Sequence, residues 1–409
     1  MQYLRFTGIL LFVVLMAGCS KNRNTENEKL LLKNAQKAEI FANENNAFGL
    51  SLFKKLNRQQ QNIKNFVISP LSTSMILGMT YNGTEGESKR HLAKVMGWNE
   101  MTTFEINQYN KRLINHLRHN ARNIDLNIAN SIWFGENVPI EPAFLRKNRD
   151  NYHAFASSMS QESGVAADVI NRWATQSTNG NIDRVIEKIA PHENLYLLNA
   201  TFFKGNWKNK FNESNTTSST FYMEDGSKKP IRMMWQKADL NYFDGHDFQL
   251  VELPYENENF CMYILLPDSG LKLDEMIRSL DYRSWHSYKK KLNKRRNINF
   301  GMPRFHCEHS VNMKDMLAGM GLGELFEENS ANLEGITRNN ISISEMMHKA
   351  AIDVDEHGTE ASAATSMAIS FTTLVDDDPF NLIVNRPFIF AIEEKKSNTL
   401  MFIGKISKP

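Results

Sequence analysis

The segment Asn65-Phe-Val-Ile-Ser-Pro70 marks the start of a helix. Ser69 is a residue type that caps helix N-termini, and Pro70 suits the first turn, where the backbone needs no N–H donor. Leu71–Tyr81 then follows a helical pattern of apolar residues, and a Gly83-x-x-Gly86 turn lies where the helix would end. The segment therefore predicts a capped helix over about residues 71–81.

Helical and strand-like patterns mix along the rest of the chain without regular alternation. Phe48–Leu56 has helical spacing, whereas Leu126–Phe134 and Leu195–Phe203 are typical of strands. We find no internal repeat. This order predicts an α+β fold with large, mostly antiparallel sheets rather than a doubly wound parallel sheet.

Composition sets broad bounds on function. The chain has 409 residues, 41% of them hydrophobic, and a formal net charge of +2, so it can form an extensive core and its total charge implies no nucleic-acid partner. It lacks the Gly-x-Ser-x-Gly, His-Glu-x-x-His and Cys-x-x-Cys motifs, and Gly319-Met-Gly-Leu-Gly323 has the wrong spacing for a phosphate loop. We therefore predict a protein that is not an enzyme, with no cofactor and no metal site.

The N-terminus is typical of a targeting signal. Arg5 precedes an apolar run, Ile9–Met16, that is too short to span a bilayer, and the small residues Ala17 and Gly18 follow. Cys19 comes next, and the arrangement resembles a bacterial lipobox, which implies acylation of Cys19 and anchoring in a membrane. The usual Leu three residues before the cysteine is replaced by Met, so an ordinary secretory peptide is the alternative.

These features divide the chain into three parts. Residues 1–19 are predicted to be a lipoprotein signal peptide, and residues 20–38, which are polar and lack aromatic side chains, a flexible tether. Residues 39–409 are predicted to form a single domain. Only Cys261 and Cys307 remain there, so no disulfide framework follows, and a single bridge between them stays open.

One stretch near the C-terminus combines the properties of a loop and a strand. Residues 356–379 read Glu-His-Gly-Thr-Glu-Ala-Ser-Ala-Ala-Thr-Ser-Met-Ala-Ile-Ser-Phe-Thr-Thr-Leu-Val-Asp-Asp-Asp-Pro. From Thr359 to Ser370, alternate positions are mainly apolar on one side and small or polar on the other, the period of a half-buried strand. The side chains are nevertheless too small and too rich in Ala for strong strand propensity, and a surface loop is the alternative.

Taken in chain order, the motifs resemble those of the serpin family. They are Asn65–Pro70 with Gly83-x-x-Gly86, Ala129-Asn-Ser-Ile-Trp-Phe134, Ile170-Asn-Arg-Trp173 with Thr178-Asn-Gly-Asn-Ile182, Leu198-Asn-Ala-Thr-Phe-Phe-Lys-Gly-Asn-Trp207, Val251-Glu-Leu-Pro-Tyr255, Met302-Pro-Arg-Phe305 and Asn385-Arg-Pro-Phe-Ile-Phe390. The resemblance covers roughly residues 46–409. It implies the serpin fold: three mostly antiparallel sheets, about nine helices and an exposed reactive-centre loop over about residues 356–384.

The resemblance also implies an activity. Serpins are suicide-substrate inhibitors of serine endopeptidases: the protease forms an acyl-enzyme at a bait bond, and the cut loop then inserts as a new strand into the central sheet. Family spacing from Gly358 places that bond between Thr372 and Thr373, with Phe371–Thr372 as the alternative. The implied loop hinge comprises Glu356, Gly358, Thr359, Glu360, Ala361, Ser362, Ala363, Ala364 and Thr365.

Two supporting clusters follow from the same resemblance. Ser69, Ser72, Asn199 and His348 match the family's shutter, a polar group beneath the central sheet; we call them the shutter cluster. Trp207, Arg304 and Glu356 match the breach, where insertion begins; we call them the breach cluster, and it allows an ion pair between Arg304 and Glu356.

The expected partner is a target serine protease, bound covalently by a monomeric inhibitor. Inhibition of cysteine proteases stays open, and a non-inhibitory serpin acting as a binding or carrier lipoprotein is the alternative function. The expected location is the bacterial outer membrane, after export through the inner membrane, with the leaflet open. The basic stretch Lys289–Arg296 is interpreted as a solvated face, and a polyanion site at Lys111, Arg112, Arg118 and Arg122 as the weaker reading.

Overall fold

The computed structural model describes residues 17–160, 163–189, 194–358 and 380–409, with only the backbone described for 17–34. Within them lie nine α-helices: α1 Ala17–Gln59, α2 Pro70–Tyr81, α3 Gly86–Met96, α4 Thr103–Asn120, α5 Pro142–Tyr152, α6 Ser163–Ser177, α7 Leu273–Ser279, α8 Tyr282–Lys290 and α9 Lys314–Leu317. The fourteen strands are β1 Asn65–Ile68, β2 Ile124–Gly135, β3 Phe155–Met159, β4 Leu195–Gly205, β5 Thr217–Tyr222, β6 Lys228–Asp244, β7 Phe248–Pro254, β8 Phe260–Pro267, β9 Asn293–Pro303, β10 Phe305–Asn312, β11 Glu345–Val354, β12 Phe380–Ile383, β13 Phe388–Glu394 and β14 Thr399–Ile406.

The α+β class is confirmed, with the strands in two hydrogen-bonded sheets rather than three separate ones. One has five strands in the order β10-β11-β4-β2-β3, and the other has nine, β1-β14-β13-β8-β7-β6-β9-β12 with β5 beside β6. The long strand β6 explains the difference, because it pairs with β9 along Met233–Tyr242 and with β7 along Asn241–Asp244. One continuous strand thus joins two groups of strands into a single hydrogen-bonded sheet.

The helix predicted after residue 70 is present as α2. Ser69 caps it, its hydroxyl accepting a hydrogen bond from the backbone N–H of Ser72, and Pro70 occupies the first turn. Every residue of α2 is buried. An apolar helix of this kind must be covered on all sides, and α2 contacts α1, β4 and β14.

The N-terminal segment differs from the sequence-based expectation. Residues 20–38, predicted to be a flexible tether, have helical backbone as the first part of α1. The reason lies in composition, because Leu30–Glu39 consists almost entirely of strong helix formers. Contacts with the body begin near the predicted boundary at residue 39: Lys37 pairs with Glu105 at 2.5 Å, and Phe41 is buried.

The five-stranded sheet separates two apolar clusters. On one face α6 contributes Ile170 and Trp173 to a cluster with Trp133 and Phe202. The opposite face belongs to the main core. Strand β4 shows how one strand serves both, because successive side chains point to opposite faces.

The two cysteines of the body are free thiols. Cys261 lies in β8 and Cys307 in β10, and both are buried. Burial raises the pKa of Cys307 to about 12 and raises that of Cys261 further. Both therefore behave as small apolar groups rather than as reactive thiolates. No helix among the described residues is long and apolar enough to cross a membrane.

Candidate functional site

The central feature of the five-stranded sheet is the seam between β4 and β11. These two strands run parallel and pair directly from Tyr196 with Glu345 to Phe203 with Ile352. Every other pairing of β4 and β11 is antiparallel, with β2 and β10 respectively. The seam is closed along this whole length, so no other strand lies between β4 and β11.

Residues 359–379 connect one end of this seam to the nine-stranded sheet. They leave from a turn at Asp355–Gly358, directly after β11, and enter β12 at Phe380. The predicted bait bond at Thr372–Thr373, its alternative at Phe371, and the hinge residues from Thr359 to Thr365 fall in this segment, outside the described residues. Of the predicted hinge, the structure describes Glu356 and Gly358.

Gly358 is required where the segment leaves the sheet. Its φ is +102°, and a Cβ placed there would lie 2.2 Å from the carbonyl oxygen of Gly205 and 2.5 Å from the backbone nitrogen of Trp207. Only glycine tolerates both the angle and the approach. The turn is also closed by a hydrogen bond from the Gly358 N–H to the Asp355 carbonyl oxygen, at 3.2 Å. The start of the segment is therefore fixed against the end of β4.

The structure brings the three residues of the breach cluster to this turn. The Trp207 indole is buried, stacks on Tyr255 with ring centroids 4.6 Å apart, and donates its ring N–H to the Asp355 carbonyl oxygen at 2.9 Å. The backbone N–H of Trp207 donates to the His357 carbonyl oxygen at 3.0 Å. Trp207 thus holds the turn through both its side chain and its backbone.

Glu356 supplies the charge of the breach cluster. Its carboxylate is buried and pairs with Arg304 Nε at 2.5 Å, while the Arg304 side chain remains 43% exposed. The hydroxyl of Thr216 donates to the same carboxylate. Burial alone would raise the pKa of Glu356, but the hydrogen bonds from Arg304 and Thr216 outweigh it and hold the pKa below its ordinary value.

The four residues of the shutter cluster also meet, beneath the seam. His348 and Asn199 are register partners on β11 and β4, and the His348 Nδ1 lies 3.2 Å from the Asn199 Oδ1. Ser69, at the N-cap of α2, donates its backbone N–H to His348 Nε2 at 2.9 Å and its hydroxyl to Ser72 at 3.0 Å. The start of α2 is therefore tied to both strands of the seam.

These contacts define the protonation state of His348. Because Nε2 accepts from the Ser69 N–H, that nitrogen carries no proton, and Nδ1 is the donor to Asn199. Burial, with a smaller contribution from neighbouring His309, lowers the pKa of His348 to about 3. His348 is thus a neutral imidazole whose protonation would remove the bond to Ser69.

Sequence reasoning missed several members of these clusters. Thr201 links Ser72, at 2.5 Å, to Asn199, at 2.6 Å, and Asn130 accepts from Asn199 at 2.9 Å. The sequence offered one signal for Thr201, the two-residue period of a β-strand. Thr201 follows Asn199 by two residues, so both side chains point to the same face of β4. Thr216, by contrast, is distant in sequence from Glu356, and no local pattern indicates their contact.

Lys349 is a further missed residue, on the opposite face of the seam. It is buried, pairs with Glu308 at 2.5 Å, and donates to the carbonyl oxygen of Arg184 at 2.6 Å. Arg184 belongs to the segment that follows α6. This contact fastens the covering segment to β11.

Two further sequence predictions concern the basic stretch Lys289–Arg296 and Cys19. Lys289 does not belong to a solvated face, because it is largely buried and pairs with Glu393 at 2.5 Å, whereas Lys294, Arg295 and Arg296 are exposed. The backbone at Cys19 is helical, and the structure describes nothing of its side chain. Within the described ranges, no group of three or more His, Cys, Asp or Glu residues could hold a metal ion.

Comparison with known proteins places the chain in a family. The family model for serpins (serine protease inhibitors) matches residues 43–409. The leukocyte elastase inhibitor of Xenopus laevis is 31% identical over 374 residues, which cover 88% of this chain and 97% of that protein. The native-state crystal structure of tengpin, a thermophilic serpin, superposes with a TM-score of 0.82 at 29% identity, covering 90% of this chain and 94% of tengpin.

A more distant structure shares the fold alone. Human thyroxine-binding globulin, solved with its hormone, gives a TM-score of 0.84 at 22% identity, covering 91% of this chain and 99% of the globulin. The match to the family model spans nearly the whole chain, and the curated relative is named as an inhibitor. The chain belongs to the serpin family of serine protease inhibitors.

Proposed function

We propose that this chain is a suicide-substrate inhibitor of serine endopeptidases that traps the acyl-enzyme by inserting its cut loop between β4 and β11. The closed parallel seam is the observation that carries this proposal. β11 runs into the turn at Asp355–Gly358, which reverses the chain, so a strand formed by the residues after Gly358 would run antiparallel to both β11 and β4. Insertion would replace one parallel ladder with two antiparallel ones.

That exchange is favourable on physical grounds. Parallel pairing is slightly less stable per residue than antiparallel pairing, and the new strand adds a second ladder of backbone hydrogen bonds. At about 3.3 Å per residue, the twelve residues Thr359–Ser370 would span roughly 40 Å of strand. Their small side chains suit entry between strands, and the native fold holds the unreleased energy until the loop is cut.

The protease supplies the nucleophile for the covalent step. Its serine oxygen attacks the carbonyl carbon of Thr372, the peptide bond to Thr373 breaks, and the freed amine of Thr373 leaves with a proton. The product is an ester that joins the protease to Thr372, and water would normally hydrolyse it. Insertion drags the protease with the loop and distorts its catalytic site before hydrolysis, so inhibition is a race between insertion and deacylation.

A panel of proteases tests this proposal. The full chain, purified in non-ionic detergent, is incubated with elastase, subtilisin and chymotrypsin, and with papain to examine cysteine proteases. Denaturing gels and intact mass spectrometry should reveal a denaturant-resistant adduct and a released C-terminal peptide that begins at Thr373. A peptide beginning at Thr372 would assign the bait bond to Phe371–Thr372 instead.

A hinge variant with a matched control sharpens the test. We expect Thr359→Arg to be cut without forming an adduct, because a charged side chain at the start of the inserted strand would be forced into the sheet. Asp377→Arg lies beyond the segment expected to insert and should form as much adduct as the wild type. Adduct from Thr359→Arg at the wild-type level would contradict the insertion mechanism.

The alternative is a non-inhibitory serpin that binds or carries another molecule, as the name of thyroxine-binding globulin indicates for that distant relative. Clean cleavage across the whole panel, with full protease activity left, would favour this alternative.

We further propose that Cys19 is acylated and that the protein is held at the bacterial outer membrane, exported through the inner membrane. The apolar run before Cys19 and its small neighbours support this proposal. Metabolic labelling with an alkyne fatty acid, followed by membrane fractionation, should label the wild type and leave Cys19→Ser unlabelled and released from the membrane. Label retained in Cys19→Ser would contradict lipidation at this residue.

A further inference from the structure

A basic cleft lies near Glu356 and Phe380, the described residues at the two ends of the loop, and is not used by the mechanism above. It has a volume of about 750 Å³. The side chains that matter here are Lys208, Lys210, Lys237, Lys294 and Trp235, and we call this surface the lysine cleft. Asp239 is the one acidic residue among the residues that line it.

The positive charge of the lysine cleft is only partly neutralised. Lys294 pairs with Asp239 at 3.4 Å, and Lys208 pairs with Glu258, outside the cleft, at 2.7 Å. Lys210 and Lys237 are exposed, and no acidic side chain of the described residues forms a salt bridge with either. The cleft therefore presents at least two uncompensated positive charges to solvent.

The lysine cleft lies close to the residues where the loop starts and to those where it ends. Lys210 precedes Phe211, whose backbone N–H donates to the Glu356 carbonyl oxygen at 2.9 Å, where the loop leaves. Lys237 precedes Ala238, which pairs with Ile298, and Ile298 pairs with Phe380, where the loop ends. Two strand spacings, roughly 10 Å, thus separate the cleft from the second anchor.

An aromatic side chain completes the surface. Trp235 is half-buried, and its ring N–H donates to the hydroxyl of Thr217 at 3.1 Å. The ring lies against Gly301, where a Cβ would approach it to 2.7 Å. Tryptophan is enriched in protein interfaces, because it offers a large, rigid contact area. A cleft with free lysines and a fixed indole is suited to another protein's surface.

We propose that the lysine cleft contacts an acidic surface of the protease that occupies the reactive loop, and thereby selects proteases by charge. Because the cleft lies close to both anchors of the loop, a protease bound to the loop would bring part of its own surface near the cleft. Complementary charge steers encounter and can raise association rates by tenfold or more at low ionic strength. This inference rests on the proposed inhibitory function.

A single protease in two charge states provides the probe. The member of the panel that forms the adduct is used in its native form and after succinylation, which converts surface lysines to carboxylates and leaves the active site in place. The association rate constant is measured with the full chain at low and at physiological ionic strength. For the wild type we expect the succinylated protease to associate about tenfold faster at low ionic strength, with the advantage shrinking as salt is added.

Charge-reversal variants assign the effect to the lysine cleft. Lys210→Glu combined with Lys237→Glu should abolish the advantage of the succinylated protease. The control, Arg146→Glu combined with Lys147→Glu, changes the net charge by the same amount on the exposed face of α5, which packs against α2, α4 and β3. This control should preserve the faster association of the succinylated protease. Equal adduct yields at saturation verify that each variant folds, and Lys210→Gln with Lys237→Gln should give an intermediate rate.

Three results would overturn the inference. An unchanged succinylation advantage in the Lys210 and Lys237 reversal would show that the cleft does not meet the protease. Equal slowing of both protease forms would indicate an effect within the chain. If the succinylated protease associated faster only when dextran sulfate was added, the cleft would be a binding site for a polyanion. Absence of any adduct, by contrast, would contradict the proposed function itself.

Discussion

Two clusters hold the same seam by different chemistry. The shutter cluster is fully buried and neutral, and its hydrogen bonds run from Ser69 and Ser72 on α2 to Asn199 and His348 on the two strands. The breach cluster lies at the end where the loop leaves, and pairs a buried carboxylate with the 43% exposed side chain of Arg304. The shutter cluster is therefore shielded from water, whereas the breach cluster is in contact with water through Arg304.

This difference indicates how the seam should open. A buried polar network is costly to separate because its groups lose partners without gaining water, whereas exposed groups exchange one partner for another. We therefore expect opening to begin at the breach cluster and to be opposed by the shutter cluster. The two should also respond to different conditions: the breach cluster to salt, and the shutter cluster to mild acid.

The largest effect is expected from Trp207→Ala, which removes the stacked indole that holds the turn. Replacing a buried Trp by Ala typically costs about 3–5 kcal/mol. Thermal unfolding should show a lower midpoint, and the variant should lose inhibitory capacity faster on warm incubation, because the seam is less firmly closed at its loop end.

Trp98→Ala is the matched control for this prediction. Trp98 is equally buried, donates its ring N–H to Asn45 at 3.1 Å, and lies away from the seam. It should reduce thermal stability by a similar amount without speeding the loss of inhibitory capacity. Equal loss of capacity in the two variants would mean that the breach cluster has no special part in opening.

The next largest effect is expected at the shutter cluster. His348→Ala leaves the Ser69 N–H and the Asn199 Oδ1 short of a partner and creates a cavity, at a cost of about 2–4 kcal/mol. His309→Ala is the control, since His309 is also buried in the sheet but its Nε2 has no hydrogen-bond partner among the described residues. Denaturant unfolding should show a clearly smaller loss for His309→Ala; equal losses would argue against the network.

Local sequence patterns predicted the helix and strands that carry these clusters, but they predicted fewer of the contacts between those elements. The capped helix after Ser69 and the strands around Asn130 and Asn199 are present because cap chemistry and apolar periodicity act within a few residues. The parallel register of β4 with β11 is a pairing of distant segments, and neither segment encodes its partner. The Thr216 contact to Glu356 was missed for the same reason.

Residues 20–38, predicted to be a tether, show how two local patterns can favour different conformations. Polarity and a lack of aromatic residues favour a flexible tether over residues 20–38, whereas the helix formers of Leu30–Glu39, joined to a packed helix, favour helical backbone. Propensity and continuity with α1 explain the helical backbone of the segment. The family motifs, in contrast, predicted which side chains would meet around the seam.

Mild acid should destabilise the fold through two buried histidines, His348 of the shutter cluster and its neighbour His309. The folded pKa is about 3 for His348 and about 4 for His309, against 6.5 for an ordinary histidine. Because the unfolded chain binds these protons first, stability is fully present above about pH 6.5 and is lost as the pH falls below it. Each histidine should contribute a slope of up to about 1.4 kcal/mol per pH unit.

Unfolding free energies between about pH 6.5 and 5 measure this slope. His348→Gln should reduce it by the share of one histidine. The breach cluster should contribute little, because the pKa of Glu356 is lowered from an ordinary value of 4.5, so its carboxylate is ionised in the folded chain and mostly ionised in the unfolded chain across this window. A slope unaffected by His348→Gln would contradict the neutral state assigned to this residue.

The smallest effect is expected from Arg304→Gln, which removes one charge from the breach cluster. Half-exposed ion pairs contribute little, so we expect a loss of about 1 kcal/mol, and the Thr216 hydroxyl continues to donate to Glu356. High salt should lower the stability of the wild type by a smaller amount, because it screens only the exposed Arg304 side of this pair, and should lower the stability of Arg304→Gln less. Arg232→Gln, at an exposed neighbour whose side chain forms no ion pair with described residues, should keep the wild-type salt response. If Arg304→Gln kept that response as well, the salt sensitivity would arise elsewhere, and charge would no longer distinguish the breach cluster from the shutter cluster.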